Sequence, residues 1–141
     1  MKKIIGLVLI LAVILTACKK ETLSKTPATD SVDSVSSILK LSGTFASGPF
    51  GTTTGAVKIF ADSNNIYTLV FDSFMVNAGP DLHVYLSKEI QPLNFIDLGK
   101  LKSVSGTQVY AISGVPDFST YKYALIHCQQ YNHLFGHATL Q

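Results

Sequence analysis

The chain has no arginine, only two cysteines in 141 residues, and only 14% charged residues. Without arginine, and with no basic run beyond Lys19-Lys20, it lacks the electrostatic footprint of a nucleic-acid binder. The opening MKKIIGLVLILAVILTAC accounts for much of the positive mean hydropathy and for two of the eleven lysines. Removing it leaves nine lysines against nine Asp and Glu, so the remainder is close to neutral. No nucleic-acid partner is expected.

That opening has a basic start at Lys2 and Lys3, an apolar run from Ile4 to Leu15, and a small-residue step into cysteine. This is the pattern of a targeting segment and is set apart from the fold. The run is shorter than the roughly 20 residues a membrane-spanning helix needs. Leu15-Thr16-Ala17-Cys18 resembles a bacterial lipobox, which implies cleavage before Cys18 and lipidation of that residue. More than one acyl chain gives stable anchoring, so the expected location is the bacterial cell envelope, on the outer membrane and facing an exported compartment. With Cys18 lipidated, Cys128 is the one remaining thiol, in a compartment that oxidises exposed thiols.

Three regions follow: residues 1–17 as lipoprotein signal, 18–37 as lipidated tether, and 38–141 as a single domain. The tether, rich in Ser, Thr and Lys and without aromatics, cannot bury enough apolar surface to order itself. As a flexible coil it would reach roughly 25 Å. The remainder is long enough to bury a core. Its short β-branched and aromatic runs, LKLSGTF, GAVKIFA, NIYTLVF, DLHVYLS, TQVYAIS, KYALIHC and HATLQ, are separated by Gly, Pro, Asn and Asp clusters. Such spacing predicts an all-β domain, an antiparallel sandwich or barrel. Residues 92–100 do not alternate cleanly, which leaves room for a helical turn.

Alternation with period two assigns faces. Leu82, Val84 and Leu86 share one face and His83, Tyr85 and Ser87 the other. In the cysteine strand, Ala124, Ile126 and Cys128 lie together, opposite Tyr123, Leu125 and His127. Cys128 therefore points inward and its neighbour His127 away from it.

Several motifs could carry chemistry. His127, Cys128, His133 and His137 fall within eleven positions, and His83 upstream with Cys128, His133 and His137 suggests a copper site of two His and one Cys. No methionine lies near Cys128 to serve as axial ligand, and zinc would need more thiolates. Copper is thus the alternative to having no cofactor. The stretch SGPFGTTTG at 47–55 lacks the lysine of a phosphate loop and reads as a strand connection. No GxSxG turn or carboxylate pair on one short element supports a hydrolase. Gly79-Pro80-Asp81 reads as a turn setting the register of the next strand, with Asp81 and His83 as the residues there able to contact a ligand.

Gly43 to Gly48 (GTFASG), GAVKIF, DSFMVNAGPDLHVYLSK from Asp72 to Lys88, GTQVYAI from Gly106 to Ile112 and LIHCQQYNHLFGHATL from Leu125 to Leu140 occur in one order. With these segments the chain resembles the electron-transfer DM-thirteen domain, found in Knickkopf-type proteins and in many bacterial lipoproteins. The resemblance implies a β-sandwich-like fold and a redox role centred on Cys128, acting with a redox partner protein. The residue before the cysteine is often Trp in that family and is His127 here. A lone thiol reacts through a sulfenic acid or a mixed disulfide, and needs access and a thiolate-favouring neighbour. In apolar surroundings it would instead be an inert part of a non-catalytic binding or display domain.

Overall fold

The computed structural model describes residues 22–32 and 36–141. The signal segment and Cys18 lie outside the described residues. Nine strands are present and no helix among the described residues: β1 Ala28–Thr29, β2 Ile38–Ser47, β3 Thr53–Ala61, β4 Tyr67–Val76, β5 Leu82–Ser87, β6 Phe95–Lys100, β7 Ser105–Ile112, β8 Tyr123–Cys128 and β9 His133–Thr139. They form one sheet in the order β1-β7-β4-β3-β2-β9-β8-β5-β6. The sheet curls so that β6, at one edge, approaches β7 near the other, and the fold is a barrel-like all-β domain.

The inward side of the curl is lined by alternate residues of nearly every strand. Val57 and Ile59 of β3, Leu69 and Phe71 of β4 and Tyr110 of β7 meet Val84 and Leu86 of β5 and Ala124, Ile126 and Cys128 of β8. Phe45, Phe71 and Phe74 interlock, with Phe45 edge-on to both others at 5.1 and 5.3 Å between centroids, a geometry that the ring quadrupoles favour. The faces assigned by alternation hold. One consequence was not visible locally: all six residues of β5 are buried, because its second face is covered as well. Tyr85, Leu125 and Leu134 make a small second cluster there, with Phe95 stacked on Tyr85 at 4.2 Å.

Two expectations are corrected. Residues 95–100 form strand β6, not a helical turn. Their alternation is broken by a register shift opposite His83 and Tyr85 and by Gly99 at φ +111°, a left-handed conformation that suits glycine. The described part of the expected tether is not free either. β1 pairs in parallel with β7, the one parallel pair in an otherwise antiparallel sheet. Leu23 lies against the core. A polar composition predicts solvation, but here the backbone of the segment and the Asp30 carboxylate complete the ladder of an edge strand, and polar residues can do that without burying apolar area.

Candidate functional site

The strands come together at one end of the curl so that the chemistry-bearing residues gather there. β5 begins at Leu82 opposite Cys128, the last residue of β8, and His83 sits opposite His127. β9 begins at His133, opposite Cys128, and β6 ends at Lys100, opposite His83. Gln129 donates its backbone N–H to Asp81 O at 2.9 Å, tying the turn after the cysteine to the Gly79–Asp81 turn.

Cys128 is a free thiol with no exposed surface, seated in the main core. His83 is on the other face of the sheet. Its Nδ1 lies 2.9 and 3.1 Å from the two carboxylate oxygens of Asp97, and its Nε2 lies 3.5 Å from Asp81. The structure thus brings Asp81 and His83 together. The Asp97 carboxylate also accepts from Gly99 N at 2.8 Å and Gln129 Nε2 at 3.1 Å. Sequence reasoning missed Asp97, because it lies on the strand whose alternation was obscured and bonds to a residue 14 positions away. Replacing Asp97 by Ala is expected to cost about 1 kcal/mol, read as a lowered denaturant midpoint, and to loosen the His83 ring in NMR spectra. An unchanged His83 environment would show that the carboxylate does not orient it.

His127 occupies the place often held by Trp in the resembled family. It is buried, its ring 5.4 Å from Tyr85, and neither ring nitrogen has a hydrogen-bond partner. Removal from water pushes its pKa down, and the nearby His133 and His83 push the same way, whereas the Asn132 side chain opposes the shift. Asn132 comes close enough to act electrostatically without reaching hydrogen-bond geometry. His133 stacks on Phe50 with centroids 3.6 Å apart and planes within 1°. His137 is on the far side of β9, beside Ala46 of β2. The set needed for a copper site is therefore not assembled: Cys128 faces the core, His83 the opposite side, and His133 and His137 go separate ways. Among the described residues, no group of three His, Cys, Asp or Glu converges as metal ligands would.

A curled all-β domain, with a histidine clamped by carboxylates at one end and Cys128 as the one cysteine among the described residues, defines a small all-β module. Residues 44–140 match the family described as electron transfer DM13, and the chain belongs to that family. The match runs from β2 to the end of β9 and includes Asp81, His83 and Cys128. No curated protein and no solved structure matches the chain.

Proposed function

We propose that this protein is an envelope lipoprotein, anchored through acylated Cys18, whose DM13 domain takes part in electron transfer with a redox partner protein through Cys128. Membership of the electron-transfer family across 44–140 is the observation that carries this reading. The chemistry open to a lone thiol is exchange. The Cys128 thiolate attacks a partner disulfide, one S–S bond forms as another breaks, the partner's second sulfur leaves as thiolate, and the thiol proton passes to solvent. Because Cys128 has no exposed surface, the exchange requires the exposed turn 129–132, which directly follows it, to open first.

The test traps the redox state of Cys128 in cells: acid quenching, then alkylation under denaturing conditions and mass spectrometry. The redox reading expects a reversible oxidised or mixed-disulfide fraction that changes with oxidant. A thiol found fully reduced under every condition overturns it.

The absence of any exposed Cys128 surface favours a second reading, a binding or display domain in which the thiol only fills the core. That reading expects Cys128→Ala to retain partner capture and lose only stability. Selective loss of an activity in a folded variant argues against it.

A further inference from the structure

Resting on the proposed lipidation of Cys18, we infer that the end of the domain carrying Asp81, His83 and Cys128 lies against the phospholipid headgroups instead of standing off on a free tether. The first argument is the length of chain between the lipid and the docked segment. From Leu23 to Asp30 the chain is fixed to the domain, and Cys18 precedes Leu23 by five peptide steps, which span at most about 18 Å.

The fixing is extensive. Val104 N donates to Ser24 O at 3.0 Å and Asp30 N donates to Thr107 O at 3.0 Å. Ser103 Oγ donates to Thr26 O at 2.6 Å. Asp30 pairs with Lys102 at 2.5 Å and accepts from Val109 N at 3.1 Å. Gly106, at φ +96°, leaves room for the Ala28 backbone where a Cβ would collide with it. Behind this strap, buried Gln108 accepts from Lys102 N and Ser103 N and donates to Ser103 O, fixing the bend that receives it.

The strap enters at one particular end. Thr22, Leu23 and Ser24 line a cleft with Gly79, Pro80 and Asp81, so the lipid is tethered beside the turn that holds the His83 carboxylate partner. The loops 48–52, 77–81, 101–104 and 129–132 share this end, because β3 starts opposite the end of β4, β2 ends opposite Gly136, and β8 ends opposite the start of β9.

The second argument is independent of the strap. Phe50 and Tyr131 are exposed at this end and flank the His133 ring, at 3.6 and 5.9 Å. The Tyr131 ring, apolar with a polar hydroxyl, suits the headgroup layer, and Phe50 adds apolar ring surface beside it. At the opposite end the exposed apolar residues are mostly aliphatic, among them Ile38, Ile66, Leu93 and Val115, and the half-exposed Phe95 ring is taken up by stacking on Tyr85. A partner reaching Asp81, His83 or Cys128 is then itself membrane-bound or lies within the interfacial layer.

The experiment uses full-length mature lipoprotein, in a Cys128→Ala background, on vesicles of phosphatidylethanolamine and phosphatidylglycerol. A bimane label is placed through Ala78→Cys at the inferred membrane end, or through Asn64→Cys at the far end, and quenched by a phospholipid with a nitroxide headgroup. Quenching at least threefold stronger at 78 than at 64 is expected, and the contrast should shrink when Asp30→Ala and Ser103→Ala release the strap. Equal quenching at the two positions, in protein shown by mass to carry the lipid, overturns the orientation alone. Absence of the lipid overturns the anchoring reading on which the inference rests.

Discussion

A thiol reagent applied to the folded protein is expected to modify Cys128 at least about a thousandfold more slowly than it modifies the same residue in denaturant. The sulfur has no exposed surface, and it sits among Ala124, Ile126 and other core side chains on the inward face of β8. Modification must wait for an opening, and if that costs even 5 kcal/mol the open fraction is below about one part in a thousand. The rate should therefore rise with sub-denaturing urea, in parallel with the population of the open form. Alkylation at the rate of a free thiol, without denaturant, would show that Cys128 is accessible in the resting fold. Cys128→Ala should remain folded and lose about 1–2 kcal/mol, a small cavity in a close-packed interior. The protection and the proposed redox role are compatible only if a partner or the membrane surface promotes the opening, which makes the acceleration of alkylation by envelope membranes a direct measure of that coupling.

His127→Phe is expected to stabilise the protein by about 1–3 kcal/mol in chemical denaturation. The imidazole is buried with both nitrogens unpartnered, and phenylalanine fills similar space without a polar atom to desolvate. The Tyr85 ring already stacked against it provides an aromatic neighbour. The pH dependence follows from the same burial. The folded protein holds the His127 pKa below its usual 6.5, so on acidification the unfolded chain takes up the proton first. Stability is then complete above pH 6.5 and falls as pH drops from there through the lower folded value. The carboxylates held below their usual range, Asp30, Asp72, Glu89 and Asp117, give a loss with the same sign, but only below their ordinary values of 3.8 to 4.5. Between pH 7 and pH 5 the wild-type melting temperature should fall and that of His127→Phe should stay nearly level. A destabilised variant, or equal slopes, would mean that the ring finds a partner in solution.

Sequence reasoning reached some residues of the candidate site and not others. The inward position of Cys128 and the outward one of His127 follow from alternation along KYALIHC, and the structure places both so. The sequence grouped His83 with Cys128, His133 and His137 as possible copper ligands, yet its direct cross-strand partner is His127. Finding that pair requires knowing that β5 lies beside β8, a neighbour separated from it by β6 and β7 in the chain. Asp97 could have been noticed only as a carboxylate two residues before Gly99 in a segment that failed both periodicities, a weak signal for a bulged edge strand.

The sequence by itself determined the class of the fold, the faces of the β5 and β8 residues, the family and the inward cysteine, because these depend on short-range alternation and on motifs a few residues long. Tertiary structure alone decided which strands are neighbours, that both faces of β5 are covered, that His127 is buried without a partner, and that the polar segment after Thr22 is fastened along β7. Each of these depends on pairings between residues distant in the chain, and the free energy of such a pairing is set by the geometry of both partners, which neither partner's local sequence contains.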